Sequence, residues 1–216
     1  MYYYPRNFSL GYILFNAISY GIAAGLAIAG SVILIINTAL FSDSWAVVSA
    51  CVYGFTLITT YTLSTLYVAI NDRKGRKVFR VLSNDSIFLL VIGTVTPFAL
   101  VTLRGTFGWV LLGIVLVLCV VDIIFASISL EKFHVVIFVG YLVAGWAIIF
   151  AIGPLISQLP VLSLVFLLSG GILYTLGAIF YKWDKFEHFH MGWNLFIIAG
   201  SILHYFSIFL AIGTFS

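Results

Sequence analysis

Residues 10–41 form a long stretch without a single charged side chain, and most of its members are apolar. A helix needs only about 20 such residues to cross the hydrocarbon core of a bilayer. Backbone N–H and C=O groups find no water in that core, so a crossing segment must satisfy them internally, as a helix does. The stretch therefore predicts a transmembrane helix, and it is too long for a cleaved signal peptide.

The remainder of the chain repeats this pattern. Of the 216 residues, 63% are hydrophobic and 8% are charged, whereas charged residues make up about 25% of an ordinary soluble domain. The composition therefore excludes a soluble globular protein. We expect one all-α membrane domain over residues 1–216, a single bundle of seven transmembrane helices with spans at about 10–40, 46–70, 86–103, 107–130, 135–155, 161–181 and 190–215.

The charges between the spans predict the orientation of the bundle. Connections on the side of the N-terminus carry nine basic residues, namely Arg6, Arg73, Lys74, Arg76, Lys77, Arg80, Lys132, Lys182 and Lys185. Connections on the other side carry only Arg104. Short loops rich in Lys and Arg stay in the cytoplasm, so we expect a cytoplasmic N-terminus and an external C-terminus. The cluster from Arg73 to Arg80 is predicted to be a loop that lies on anionic headgroups, and no nucleic-acid partner is expected.

Polar residues inside the apolar segments are the candidate functional residues. On the seventh segment, His190 and Asn194 are four residues apart and lie on one helix face, with Ser201 and His204 further along nearly the same face. Polar groups are expensive in lipid, so they face the bundle interior and mark a site or a structural contact. The predicted polar cavity comprises Asn16, Ser64, Asp85, Asp122, Asn194 and His204. All except His204 are expected in the cytoplasmic half.

Three chemistries are compatible with these residues. They could hold a metal, relay protons, or form hydrogen bonds between helices. A catalytic zinc needs about three protein ligands and an open position, and of these the seventh segment offers His190 alone, since Asn194 is a poor substitute for an imidazole. Asp122 could serve a proton-coupled transporter, although no motif supports that reading.

Glycine and proline predict where helices approach or bend. Gly21 and Gly25 form a small-residue ridge on the first span, and Gly170 and Gly177 form another on the sixth. Pro97 removes a backbone donor from the third span, so we expect a bend there, with neighbouring threonine hydroxyls bonding the carbonyls that are released.

Several motifs, taken in order, resemble the hemolysin III branch of the progestin and adipoQ receptor family, seven-helix membrane proteins related to adiponectin receptors and more distantly to alkaline ceramidases. The motifs are Asn16-Ala-Ile-x-x-Gly21, Ser64-Thr-Leu-Tyr67, Gly93-Thr-x-Thr-Pro97-Phe98, Tyr141-Leu-x-x-Gly145-Trp146, Gly170-Gly-x-x-Tyr174-x-x-Gly177, His190-x-x-Trp193 and Gly200-Ser-x-x-His204. The similarity covers nearly the whole chain.

The resemblance implies a zinc ion near the cytoplasmic face, but most of the implied ligand positions hold other residues. Val68 stands where the second helix would supply a histidine, and Asn194 where the seventh would supply its second. Ser83 and Asn84 replace an Asp-His pair that enters the third helix. Only His190 is retained as a metal ligand, so we predict a degenerate zinc site, which disfavours an enzyme.

Two hypotheses follow from the resemblance. The first is a non-catalytic or regulatory protein of membrane homeostasis that permeabilises membranes in excess. The second is a metal-dependent lipid amide or ester hydrolase, with the metal held by His190, Asp85 or Asp122. Both imply membrane lipids as partners, including a lipid ligand in the cytoplasmic-half cavity, and the bacterial cytoplasmic membrane as the location.

Overall fold

The computed structural model describes residues 9–182 and 187–213, and it describes side chains in these ranges outside residues 181–190. Every regular element in them is helical. In chain order they are α1 (Leu10–Phe41), α2 (Ser44–Ala69), α3 (Arg73–Pro97) with a π-helical continuation (Phe98–Thr102), α4 (Thr106–Ser129), α5 (His134–Trp146), a 3₁₀ segment (Ala147–Ala151), α6 (Ile152–Gln158), α7 (Val161–Lys182) and α8 (Glu187–Ile212).

Within these described ranges, seven helical spans are long and apolar enough to cross a bilayer, which confirms the predicted all-α membrane fold. The third span is α3 with its π-helical continuation. The fifth span comprises α5, the 3₁₀ segment and α6 together, and it passes the predicted end near residue 155 to reach Gln158. Pro154 does not stop it because proline is tolerated in the first turn of a helix, where its missing N–H would have no partner.

The prediction of a basic loop at residues 71–80 is wrong, because α3 begins at Arg73 and not near residue 86. Asp72 caps this helix by accepting a hydrogen bond from the backbone N–H of Gly75 at 2.7 Å, which satisfies one of the free donors of the first turn. The Arg76 guanidinium donates to the last-turn carbonyl of Ile70 at 2.9 Å. Both contacts hold the basic segment as a helix that continues directly into the third span.

An ion pair fixes each end of the bundle. Arg80 on α3 pairs with Glu131 in the connection between α4 and α5. Partial burial would raise the pKa of the Glu131 carboxyl, but its own backbone N–H and the Arg80 guanidinium outweigh burial and hold this pKa below its usual range. At the opposite face, Arg104 lies 2.7 Å from Asp43, whose other oxygen caps α2.

Pro97 changes the helix type of the third span. Without its N–H, the carbonyl of Gly93 loses its usual donor, and the next turns widen into the π-helical segment, in which Leu103 N–H donates to the Phe98 carbonyl five residues earlier at 2.8 Å. Thr94 and Thr96 donate to the carbonyls of Leu90 and Ile92 at 2.8 and 2.7 Å. The predicted threonine bonds are therefore present, but to carbonyls other than that of Gly93.

Small residues set the packing between helices. Gly170 and Gly177 on α7 face side chains of α8, as predicted, and a Cβ at Gly177 would lie 3.0 Å from Phe196. The corresponding prediction for α1 is wrong within the described chain. Gly21 and Gly25 have nothing near their Cβ positions, and α1 packs with Ala23 and Ala27 instead.

The first and last helices are neighbours, and hydrogen bonds join them at three levels. Asn194 Nδ2 donates to Asn16 Oδ1 at 2.8 Å. The Tyr205 hydroxyl donates to the Gly30 carbonyl at 3.1 Å, and the Ser42 hydroxyl donates to the Ile212 carbonyl at 2.7 Å. This α1–α8 seam closes the helices into a ring, and among the spans that the structure describes the third, α3 with its π-helical continuation, is the most buried.

Gly108 at the start of α4 packs against the π-helical segment and provides a test of this contact. A Cβ there would overlap the carbonyl oxygen of Ala99 and lie 3.0 Å from that of Leu103, and backbone atoms cannot move aside cheaply. We expect Gly108→Ala to lower the free energy of unfolding by about 1–3 kcal/mol.

The measurement is thermal unfolding of detergent-purified protein. Gly113→Ala on the same helix is the matched control, because nothing lies within 4 Å of its Cβ position, and it should be neutral or slightly stabilising. Equal stability of the two variants would contradict the close contact.

Candidate functional site

The centre of the candidate site is a pair of carboxamides that joins the first and last helices. Asn16 and Asn194 are completely buried, and Asn16 Oδ1 accepts the Asn194 Nδ2 bond at 2.8 Å. Asn16 Nδ2 in turn donates to the Tyr12 carbonyl one turn earlier at 2.9 Å. Within the described residues Asn194 Oδ1 has no hydrogen-bond partner. The pair is thus a polar contact in the bundle interior with one acceptor available.

A second polar contact joins α2 to α3. The hydroxyls of Ser64 and Ser83 lie 2.9 Å apart. One turn away, the Thr60 hydroxyl donates to the Ser86 carbonyl at 2.9 Å. Val68, one turn further along the same face of α2, is buried and apolar. This face therefore presents hydroxyls and a methyl-bearing side chain to α3.

The two aspartates of the predicted cavity lie apart from each other. Asp85 is on the third span and contacts the fourth, and Asp122 is on the fourth span and contacts the fifth. The Ser127 hydroxyl of α4 donates to Asp85 Oδ2 at 3.4 Å, and Asp85 is only half-buried. Asp122 is buried, and its carboxyl group lies directly against Gly140 of α5, where a Cβ would overlap it. Asp122 Oδ2 has no hydrogen-bond partner in the described part of the chain.

His204 lies between α7 and α8 and belongs to a different contact. Its Nε2 is 3.2 Å from the Leu167 carbonyl oxygen, and its ring meets Tyr174 edge-on with centroids 4.9 Å apart. Gly170 leaves the space for this imidazole, since a Cβ at that position would overlap it. His204 Nδ1 has no partner among the described groups.

A cluster of hydroxyls near His204 was not predicted in full, because Ser201 was noted as a polar residue, Tyr174 only as part of a motif, and Tyr61 not at all. The hydroxyls of Tyr61 and Tyr174 lie 2.6 and 2.7 Å from Ser201 Oγ. Tyr61 and Ser201 line a groove of about 490 Å³ between α1, α2 and α8. Tyr174 and His204 line a smaller cavity of about 50 Å³ among α3, α5, α7 and α8. The cluster therefore separates the groove from the cavity.

A signal for part of this cluster is present in α2. Tyr61 precedes Ser64 by three residues and follows Leu57 and Tyr53 at intervals of four, so these residues share the face that packs inside the bundle. The partner of each hydroxyl, however, comes from a helix distant in sequence and leaves no local pattern.

The structure brings together two of the predicted residues, Asn16 and Asn194. Ser64, Asp85, Asp122 and His204 make other contacts, described above. The side chain of His190, the predicted metal ligand, lies outside the described residues. Within those residues, no three His, Cys, Asp or Glu side chains come close enough to hold a metal ion.

The carboxamide pair gives a measurable prediction. Asn16→Leu leaves the buried Asn194 amide without its acceptor and should destabilise the protein, and Asn194→Leu should do the same by removing the donor. The double variant should cost less than the sum of the two single variants, with a coupling energy of about 0.6–1.7 kcal/mol, as found for other hydrogen bonds between membrane helices. Thermal unfolding in detergent measures this cycle. Strictly additive effects would contradict the bond.

Comparisons with known proteins agree with this architecture. Residues 13–205 match the family model described as haemolysin-III related. The chain is 42% identical to Hemolysin-3 of Bacillus cereus, over 89% of this chain and 88% of that protein. It is 36% identical to the Hemolysin-3 homolog of Bacillus subtilis, over 89% and 91%, and 24% identical to the human Monocyte to macrophage differentiation factor, over 84% and 76%. These matches confirm the resemblance seen in the sequence motifs, and the chain belongs to the haemolysin-III related family of multi-pass membrane proteins.

Proposed function

We propose that this protein is a non-catalytic member of its family that acts in membrane homeostasis in the bacterial cytoplasmic membrane. The observation that carries the proposal is the bond between Asn194 and Asn16. The resemblance implies a zinc-binding histidine at position 194. The amide of Asn194 instead forms a hydrogen bond that joins α8 to α1. Carboxamide pairs of this kind stabilise contacts between membrane helices.

The described residues at the implied ligand positions do not fit a zinc centre. A catalytic zinc takes about three nitrogen, sulfur or carboxylate ligands and one water. Val68 offers no donor atom. The Asn194 amide nitrogen has no lone pair available for a metal, and its carboxamide oxygen, which has no hydrogen-bond partner in the described residues, is not among the usual zinc ligands. Ser64 and Ser83 bond to each other at 2.9 Å. These side chains therefore do not support a reaction at a metal ion.

Metal analysis of detergent-purified protein tests the proposal. Wild-type protein should carry zinc far below one ion per chain, and His190→Ala should leave that value unchanged. Val68→His combined with Asn194→His supplies two of the implied ligands beside His190, and this variant should gain zinc and be stabilised thermally by adding it.

His134→Ala is the matched control, because it removes an exposed histidine at the start of α5. Stoichiometric zinc in the wild type that is lost in His190→Ala but kept in His134→Ala would overturn the proposal. That result would favour the metal-dependent lipid amide or ester hydrolase instead.

Permeabilisation of membranes by excess protein is the second part of the proposal, and the name of the Bacillus cereus relative supports it. Large side chains fill the bundle interior, among them Tyr53, Phe88 and Phe98, each less than 2% exposed. We therefore propose that leakage arises from bilayer packing defects at high protein density and not from a pore through one bundle.

Dye release from liposomes checks this mechanism. Leakage should rise steeply with the protein-to-lipid ratio and should release a small dye and a dextran together. Protein-free liposomes carried through the same detergent removal are the control. Release of the dye alone at low protein density would indicate a pore and contradict the proposed mechanism, and no release at any density would contradict permeabilisation itself.

We also propose a lipid ligand, but in a groove further along α1 than Asn16 and not in the predicted cytoplasmic-half cavity. The groove of about 490 Å³ between α1, α2 and α8 is almost entirely apolar and has the hydroxyls of Tyr61 and Ser201 along it. These features suit an acyl chain with one hydrogen-bonding group, since ligand sites combine apolar walls with a few polar groups.

A further inference from the structure

The basic start of α3 is a rigid helix, although its charge suggests a loop. Asp72 caps its first turn, Arg76 bonds the Ile70 carbonyl, and Arg80 pairs with Glu131. Two of the five cations in this segment are thereby held by contacts within the protein. The helix carries the other three, Arg73, Lys74 and Lys77, at fixed positions relative to the third span.

These three cations are available to an outside partner. Arg73, Lys74 and Lys77 are exposed, and in the described ranges no hydrogen bond or ion pair engages their side chains. Lys77 follows Arg73 by four residues and Lys74 by three, so the three charges lie close together on the helix surface. They form a compact positive patch that we call the α3 patch.

Exposed apolar residues on the same helix face indicate how deep the α3 patch lies in the membrane. Val78 and Leu82 follow Lys74 at intervals of four and lie on the same face, and their side chains are 56% and 41% exposed. The helix rises 1.5 Å per residue, so Lys74 is about 6 Å beyond Val78 along the axis. A headgroup layer is about 5–8 Å thick on each side of the hydrocarbon core. If Val78 lies at the edge of that core, Lys74 lies within the headgroup layer.

The opposite end of the third span gives an independent measure of the depth of the α3 patch. Trp45 and Trp109 pack edge-on there, with centroids 5.8 Å apart and both rings exposed, as is typical of an aromatic belt at a membrane surface. Arg104 and Asp43 pair at the same end. From Thr102 back to Leu82 the helix covers about 30 Å, the thickness of the hydrocarbon core. This places Leu82 near the edge of the core, one turn further along the helix than the Val78 estimate, with Lys77 and Lys74 about 8 and 12 Å beyond that edge, at the outer side of the headgroup layer.

From this register and charge we propose that the α3 patch is a binding surface for the phosphates of anionic phospholipids in the adjacent leaflet. The occupant is a lipid and not a soluble polyanion, because the exposed apolar residues Val78 and Leu82 continue the same face towards the acyl region. The long side chains of the lysines can extend along the helix towards the phosphates while their methylene groups remain near apolar surface. The proposal does not depend on the zinc site or on catalysis.

Lipid-dependent thermal stability tests the proposal. Phosphatidylglycerol added to protein in a neutral detergent should raise the unfolding temperature more than phosphatidylcholine with the same acyl chains. In Arg73→Gln/Lys74→Gln/Lys77→Gln this difference should disappear, with apparent affinity for phosphatidylglycerol falling about fivefold for each cation removed. Lys74→Arg/Lys77→Arg keeps the charge and should keep the response. Added salt should weaken the response of the wild type.

The controls separate a lipid site from general charge effects. Arg104→Gln removes one cation from the opposite end and should leave the phosphatidylglycerol response intact. If the triple variant does not fold, the single variants Lys74→Gln and Lys77→Gln should each lower the apparent affinity for phosphatidylglycerol about fivefold. An equal response to both lipids in the wild type, an undiminished response in the glutamine variants, or the same shift with free glycerol phosphate would each overturn the proposal.

Discussion

The absence of water in the hydrocarbon core is the constraint on which this structure depends, because every backbone group there must be satisfied within the protein. The seven spans meet it with continuous helical hydrogen bonds. In the third span Pro97 removes one donor, and the following turns change to π-helical bonding, in which the Phe98 carbonyl accepts from the Leu103 N–H. Gly108 then lets α4 pack against the carbonyls of this altered segment. One missing N–H thus determines the local shape of two helices.

The same constraint explains why the interior polar side chains form small separate contacts. A hydroxyl or carboxamide inside the bundle is costly without a partner, and many of these groups find one on their own helix or on a neighbouring one. Ser64 meets Ser83, and Ser163 of α7 and Ser207 of α8 donate to each other's carbonyls at 2.8 and 2.7 Å. Such contacts specify which helices are neighbours, while the close packing around glycine supplies the dispersion energy.

Much of the fold could be predicted from the sequence, because an uncharged apolar run of about 20 residues or more crosses a bilayer as a helix. The basic segment at Arg73 was mistaken for a loop, since its charge density outweighed the capping residue Asp72 and the spacing of Val78 and Leu82. The inward-facing residues were found by their polarity. Their partners could not be predicted, because Asn16 and Asn194 are 178 residues apart and nothing local to either residue specifies the other.

The α1–α8 seam has a consequence for biogenesis. A chain that enters the membrane from its N-terminus inserts α1 while the ribosome has yet to make α8, so three hydrogen bonds of α1 or of the residue after it must wait for the last helix. Until then the Asn16 carboxamide oxygen is in lipid without the amide of Asn194. Ring closure is therefore the final step of assembly, and a chain that stops short of α8 stays open along one side.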